Sequence, residues 1–317
     1  MKGALAKIFH DQMGIEAEIK DIKKLHGDAS YRTYYRTTLS NGSTYIVMQM
    51  PKGKSSASEE ITNFKGEQTE LPFINVARFL KSKSIPVPSV HHYDEKNRLM
   101  IIEDLGDDLM AGQVENTNDE TKLEWYGKAV ELLTFIQQKT KDADASTCVA
   151  LQRSFDETLL NWEFDHFLEY GITARVDKKM NRADLSIFNK ETRSISEKIK
   201  SLPYGFTHRD FQSRNLLIHK GKIYTIDFQD ALLGPAVYDL VALLRDSYIK
   251  LSDELVDELL LRYSKLANRS INTVRPEFDL ITIQRKLKDA GRFVYIDRVK
   301  KNSNFLKFIP TSLEYVR

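Results

Sequence analysis

A chain of 317 residues with 41% hydrophobic and 29% charged residues has a globular composition and is long enough for two lobes around a cleft. A net charge of +2 argues against a general nucleic-acid or anionic-membrane binder. The single cysteine, Cys148, excludes an internal disulfide and is typical of a cytoplasmic protein. We expect no membrane span and no secretory leader, because no apolar run is long enough and charges interrupt the first residues.

The N-terminal third predicts an antiparallel sheet. Asn41-Gly42 is a strong hairpin signal between two of its strands. A buried strand over Leu99–Ile102 runs into the polar segment Glu103-Asp104-Leu105. Helices are predicted over Leu5–Met13 and from Pro72 onward. The other three strands are predicted over residues 19–25, 30–38 and 44–50.

The remainder of the chain is predicted to be mostly helical. Apolar residues at helical spacing occupy Leu159–Tyr170, with Glu163 among aromatic side chains. An irregular linker is expected over Gln229–Pro235, before a strongly apolar helix over Val237–Asp246. Asp239 lies inside that apolar pattern, so we expect this buried carboxylate to hold the backbone of the loop described next.

One polar stretch combines the residue types that phosphoryl transfer needs. His208-Arg209-Asp210 is followed by Asn215, and a predicted hairpin then leads to Asp227. This order is typical of a kinase active site. Asp210 is expected to accept the proton of a substrate hydroxyl, whereas Asn215 and Asp227 offer Mg²⁺ the oxygen ligands it prefers. Asp and Asn are also common in turns, but the complete motif favours the catalytic interpretation.

The turn between the first two strands occupies the place where a kinase covers the nucleotide phosphates. It contains one glycine, so the glycine-rich signature is not met. We expect phosphate contacts from the main-chain N–H groups of Ala29 and Ser30 and from Arg32. Glu103, Asp104 and Leu105 are expected to form the hinge that meets adenine.

The third strand lacks the lysine that usually pairs with the phosphates. The negative charge of the phosphates would then be neutralised by one of four nearby cations or by the metal ion. The four are Arg32, Arg36, Lys52 and Lys54.

Substrate contacts are indicated less strongly. Glu163 beside aromatic residues suits a sugar pocket, although such aromatics are more typical of a core. Arg214 lies inside the catalytic motif and is a second candidate. A polar stripe near the C-terminus is either a solvated face or a pocket wall with donors for an acidic or acetylated substrate. It consists of Gln284, Arg285, Lys288 and Arg292, of which Arg285 is our candidate contact.

These motifs resemble the aminoglycoside phosphotransferase family, which has a protein-kinase-like fold. Within it, the chain is similar to the anomeric N-acetylmuramate/N-acetylglucosamine kinases of cell-wall recycling. The general resemblance rests on residues 85–88, 103–106, 208–215 and 226–230. The narrower one rests on residues 28–32, 227–231, 234–235, 238–240, 243–248 and 284–288.

The resemblance implies an α+β, two-lobed fold with an N-terminal nucleotide-binding sheet lobe over residues 1–104 and a larger helical lobe over residues 105–317. It also implies that the protein uses ATP and Mg²⁺ to phosphorylate a small-molecule sugar. The expected acceptor is the C1 hydroxyl of an N-acetylated hexosamine. We expect a cytoplasmic monomer with no nucleic-acid or membrane partner. Two alternatives stay open: a kinase for an aminoglycoside or an amino alcohol such as choline, and a non-catalytic nucleotide-binding protein, which the missing lysine would suit.

Overall fold

The computed structural model describes residues 1–25, 32–51 and 70–317. The strands in these residues are β1 (Ile19–Lys24), β2 (Thr33–Leu39), β3 (Thr44–Gln49), β4 (Val90–Asp94), β5 (Leu99–Glu103), β6 (Tyr204–Thr207), β7 (Leu216–His219), β8 (Lys222–Thr225) and β9 (Leu232–Pro235). The α-helices are α1 (Lys2–Lys7), α2 (Pro72–Ser82), α3 (Met110–Val114), α4 (Asp119–Thr140), α5 (Glu157–His166), α6 (Arg182–Lys200), α7 (Tyr238–Leu244), α8 (Asp253–Leu266), α9 (Ile271–Lys300) and α10 (Ile309–Glu314).

The first five strands form one antiparallel sheet in the order β1-β2-β3-β5-β4. The predicted hairpin between β2 and β3 is confirmed. Gly42 has φ +86°, a conformation that favours glycine, and the Ser43 N–H donates to Asn41 Oδ1 at 3.0 Å. Strand β4 was not predicted; its polar, histidine-rich sequence lacks a strand signal.

The sheet is buried on both faces. On one face, Val47 and Ile101 belong to a cluster with Phe9 from the N-terminal helical segment. On the other, Met48 and Ile102 belong to a core that runs on through α2 into the helical lobe. Burial on both sides explains why β5 is apolar at consecutive positions rather than at alternate ones.

The helical lobe carries two small strand pairs that hold the polar stretch. Strands β7 and β8 form the predicted hairpin, and β6 pairs with β9. The interpretation of Gln229–Pro235 as an irregular linker was therefore wrong, since its last four residues are β9. The sequence of β9 carries only a weak strand signal, because this strand is stabilised by pairing with β6, which lies far from it in the sequence. The expectation of a two-lobed α+β fold is confirmed.

Helix α9 is the longest element of the helical lobe. It begins after Ser270, whose side chain accepts from the Asn272 N–H. It packs closely against the π-helical segment Phe167–Ala174 that continues α5. Although α9 has 30 residues, neither it nor another helix in the described ranges is apolar enough over a sufficient length to cross a membrane.

Candidate active site

The polar stretch after β6 is tied to the β7–β8 hairpin through His208. This ring is buried and lies 2.7 Å from Thr225 Oγ1 through Nε2. The Asp210 N–H donates to Nδ1 at 3.3 Å, so Nδ1 is unprotonated in this arrangement. Burial lowers the pKa of His208 below its ordinary value. The histidine is thus a neutral structural link that fixes the loop relative to the hairpin.

Helix α7 and the residues after it anchor the loop backbone. Asp239 accepts from the main-chain N–H groups of His208 at 2.6 Å and Arg209 at 2.9 Å, which confirms the role expected for it. Asp246 accepts from the Ser213 N–H at 3.2 Å and the Ser213 hydroxyl at 2.6 Å. Asp246 was missed, because an acid at the end of an apolar helix has no distinguishing pattern in the sequence.

Arg285 of α9 supports the loop from the side of the helical lobe. Its Nη1 donates to the Arg209 carbonyl at 2.6 Å, and its Nη2 lies 3.3 Å from Asp210 Oδ1. The Asp210 side chain stays 41% exposed. Burial would raise the pKa of the Asp210 carboxyl, but the charges of Lys288, Arg285 and Arg209 outweigh it and hold the pKa below the ordinary value. Asp210 is therefore an ionised, accessible acceptor.

Asn215 and Asp227 meet Asp210 at the open end of the hairpin. Asn215 Nδ2 donates to the Asp210 carbonyl at 2.9 Å, and the Ile226 N–H donates to the Asn215 carbonyl at 3.0 Å. The amide nitrogen is thus engaged, and Asn215 Oδ1 is the atom left to bind a cation. Partial desolvation and the negative charge of Asp210 raise the pKa of Asp227 to about 6.

The donor set fits a cation that shares its ligands with phosphate. One amide oxygen and one carboxylate are too few to enclose Mg²⁺, which commonly completes its shell with phosphate oxygens and water. Across residues 1–25, 32–51 and 70–317, no group of three or more His, Cys, Asp or Glu side chains is arranged to hold a metal ion. Asn215 and Asp227 thus fit a cation that is also bound by the oxygen atoms of a ligand.

Two candidate phosphate-binding cations, one just before β2 and one within it, have different surroundings. Arg32 is 11% exposed, with Nη1 3.7 Å from Asp227 Oδ1. Arg36 is committed elsewhere, since it donates to both carboxylate oxygens of Asp104 and also to Asp107. The other expected contacts, Ala29, Ser30, Lys52 and Lys54, lie outside the described residues.

At the predicted hinge, both carboxylates are already bound within the protein, whereas a main-chain N–H group remains available to a ligand. The Glu103 carboxylate accepts from the N–H and hydroxyl of Ser89 at 2.9 and 2.8 Å, and Asp104 is bound by Arg36. The Leu105 carbonyl lies 3.0 Å from His219 Nδ1. The Leu105 N–H has no backbone partner among the described residues, which leaves it as a donor for an adenine edge.

The three candidate substrate residues lie in different places. Glu163 has no exposed surface and pairs with Arg209 and Gln284, so it supports the loop that carries Asp210 and is not placed for direct sugar contact. Arg285, 2% exposed, also contacts the loop directly. Arg214 stacks on the Tyr248 ring, with its guanidinium carbon 3.9 Å from the ring centre.

Comparison with known proteins gives the family. The model of the phosphotransferase enzyme family matches residues 21–276. The chain belongs to this family. It is similar to the N-acetylmuramate/N-acetylglucosamine kinases of Neisseria meningitidis (28% identical, covering 94% of this chain and 85% of the relative) and Pseudomonas putida (24%, 98% and 87%).

Solved structures show the same fold for this phosphotransferase. An ADP-bound aminoglycoside phosphotransferase matches with a TM-score of 0.65, at 13% identity, covering 99% of this chain and 98% of that one. A choline kinase from Streptococcus pneumoniae matches with a TM-score of 0.63, at 14% identity, covering 99% of each chain. The protein thus shares the two-lobed fold of these two enzymes.

An aromatic wall lies beyond the loop that carries Asp210, where α5 and its π-helical continuation pack against α9. Its rings lie 4.8–5.3 Å apart from neighbour to neighbour and join α5 and its π-helical continuation to α9. The wall consists of Trp162, His166, Tyr170 and Tyr295. His166 is buried in this wall. The signal in the sequence was the spacing of four residues from Trp162 to His166 and again from His166 to Tyr170.

Proposed function

We propose that this protein is an ATP-dependent kinase that phosphorylates a hydroxyl of an amino sugar, with the anomeric hydroxyl of N-acetylmuramate and N-acetylglucosamine as the preferred acceptor. The observation that carries the proposal is one cluster: the ionised, accessible carboxylate of Asp210 beside Asn215 Oδ1 and the Asp227 carboxylate. The names of the sequence relatives support the choice of sugar.

In the proposed reaction, Asp210 orients the acceptor hydroxyl and takes its proton. The lowered pKa of Asp210 makes it a weak base, so its main contribution is a fixed hydrogen bond that aligns the oxygen for attack. Arg285 holds both the Arg209 carbonyl and the Asp210 carboxylate, which keeps that alignment. Phosphoryl transfer requires mainly that the protein position the reactants and neutralise negative charge, because little covalent catalysis is involved.

Asn215 and Asp227 are the proposed ligands of Mg²⁺, which would neutralise the phosphate charge that develops on transfer. The raised pKa of Asp227 supports this assignment, because a carboxylate held near other negative charge gains most from a cation. Arg32 is the proposed substitute for the missing strand lysine, since its guanidinium already approaches Asp227. Ala29 and Ser30 remain proposed phosphate contacts, and Leu105 a proposed adenine contact.

Cations line the acceptor side, which disfavours positively charged acceptors. Arg285 lies against Asp210, and Lys288 acts on the same carboxylate. An aminoglycoside or choline would meet these charges at close range, whereas a neutral or acidic sugar would not.

The test is an ATP-consumption screen of the purified protein over N-acetylmuramate, N-acetylglucosamine, unmodified hexoses, choline and aminoglycosides. We expect turnover only with the N-acetylated sugars, and phosphorus NMR of the product should place the new phosphate on C1. Turnover restricted to choline or aminoglycosides would refute the sugar assignment. If the protein binds nucleotide but consumes ATP with none of these compounds, a non-catalytic role would be favoured.

A further inference from the structure

A line of polar side chains leads away from the catalytic carboxylate along α9. Arg285, Lys288, Arg292 and Tyr295 are separated by three or four positions, which places them on one face of the helix. Arg285 reaches Asp210 at 3.3 Å. The line therefore starts at the acceptor site, and Lys288 lies one helical turn beyond it.

The far end of the line meets the aromatic wall. The Tyr295 ring lies 5.3 Å from His166 and 5.1 Å from Tyr170. The Arg292 guanidinium carbon lies 4.7 Å from the Tyr295 ring centre. Lys288 thus lies along α9 between the residue that holds the catalytic acid and a set of rings suited to an apolar sugar face.

Three cations near Lys288 have an acidic partner within 4 Å. Arg209 pairs with Glu163, Arg285 with Asp210, and Lys286 with Asp289 at 2.7 Å.

Lys288 makes no ion pair within 4 Å among the described residues and is only partly exposed. The negative groups that favour its charged form, Glu163 and Asp210, therefore act on it from beyond ion-pair distance. Its ammonium is left available for a direct ion pair with an anionic ligand group.

We propose that Lys288 binds the carboxylate of an acidic amino-sugar substrate and so determines how the enzyme discriminates between acidic and neutral acceptors. The inference rests on the proposed sugar kinase function and extends it. N-acetylmuramate carries a lactyl ether with a carboxylate; N-acetylglucosamine has a hydroxyl at that position. Only the former would gain a charge-assisted hydrogen bond from Lys288.

Lys288 acts on the acceptor side rather than the phosphate side. It is the largest charge that lowers the pKa of Asp210, whereas the main charges acting on Asp227 are Asp210, Asp230 and Arg32. Burial would lower the pKa of Lys288, but Tyr238 and Glu163 raise it above the ordinary lysine value. The ammonium is therefore charged at every pH at which the enzyme would be assayed.

The experiment compares both sugars in steady-state kinetics with Lys288→Met, Lys288→Arg and, as control, Lys265→Met at an exposed position of α8. We expect Lys288→Met to reduce the ratio of kcat/KM for N-acetylmuramate over N-acetylglucosamine by roughly tenfold to a hundredfold. The loss should lie mainly in the KM for N-acetylmuramate. Lys288→Arg should restore most of the ratio, and Lys265→Met should leave it unchanged.

The ratio separates substrate binding from an effect through Asp210, because a changed catalytic pKa would act on both sugars alike. Equal losses for both sugars would overturn the proposal. So would a rise in the KM for ATP alone, which would assign Lys288 to the phosphates. If the wild-type protein uses neither sugar, the proposed function itself fails, and that outcome is visible before any variant is measured.

Discussion

At the scale of single residues, the site depends on two carboxylates with opposite surroundings. Asp210 is surrounded by cations that lower its pKa, whereas Asp227 lies near negative charge that raises its pKa to about 6. Asp227 also has φ +66°, in the left-handed region that non-glycine residues rarely adopt. Such a conformation costs about 1–3 kcal/mol and is common at functional sites.

We expect Asp210→Asn to reduce kcat by about 10²–10⁴-fold, because the amide offers no anionic acceptor for the hydroxyl proton. Nucleotide affinity should stay within about twofold of wild type. Coupled ADP release would measure the first quantity and a fluorescent nucleotide the second. Glu258→Gln, at an exposed position of α8, is the matched control. Turnover by Asp210→Asn equal to that of wild type would remove the proposed role.

The raised pKa of Asp227 predicts a pH-dependent stability change. Between pH 3.8 and about 6 the folded protein still holds the Asp227 proton that the unfolded chain has lost, so ionised Asp227 destabilises the fold above about pH 6. Asp227→Asn should therefore raise the Tm of the ligand-free protein at pH 7.5. It should also abolish metal-dependent nucleotide binding.

Thermal unfolding from pH 3.5 to 8 would test this assignment. The difference in Tm between wild type and Asp227→Asn should shrink as the pH falls below about 6 and be lost below about pH 4. A difference that is independent of pH would show that the amide acts through packing rather than through charge.

At the scale of elements, the proposed acceptor side depends on close packing of α9 against the π-helical segment Phe167–Ala174. A Cβ on Gly291 would lie 2.8 Å from the Phe167 Cα and 3.2 Å from the His166 carbonyl oxygen, both backbone atoms that have little freedom to yield. This contact sets the distance between the aromatic wall and the Arg285–Lys288 face.

Gly291→Ala should destabilise the protein, although alanine favours a helix by about 1 kcal/mol over glycine. The forced separation of the two elements should also raise the KM for sugar while leaving the KM for ATP unchanged. Gly112→Ala in α3 is the control, since a Cβ there meets nothing within 4 Å and should be neutral or stabilising. Urea unfolding and steady-state kinetics on both variants would decide; equal stabilities would contradict the packing argument.

At the scale of the whole molecule, the proposed nucleotide site draws on both lobes. Arg32 comes from the N-terminal part of the chain and Asp227 from the loop after β8, and the two side chains lie 3.7 Å apart. One hydrophobic core also runs from the sheet face of Met48 through α2 into the helical lobe. A ligand that binds between these residues would therefore stabilise both lobes together.

ATP with Mg²⁺ at one hundred times its Kd should stabilise the folded protein by about 2.7 kcal/mol. For a chain of this length the Tm should rise by about 4 °C. Chelation of the metal with EDTA should remove most of the shift, and Asp227→Asn should show none. A full shift in the presence of EDTA would contradict the proposed metal ligands.

The sequence by itself determined the local parts of this protein. The spacing from His208 to Asn215 and the following hairpin bring Asp210, Asn215 and Asp227 together over fewer than twenty positions, so short-range geometry decides their meeting. The Asn41-Gly42 turn and the proline start of α2 were predictable for the same reason. Each depends only on the backbone preferences of a few adjacent residues.

Only the tertiary structure decided which polar residues support the site and which face the cleft. Arg285 meets Asp210 across 75 positions, and Glu163 is buried against Arg209 and Gln284 although a pocket position was expected. Arg32 and Arg36 were both candidates to replace the missing strand lysine, and only the structure shows that Asp104 and Asp107 bind Arg36. The reason is physical: a charged side chain pairs with whichever partner the packing brings within reach, and residue spacing does not encode that partner.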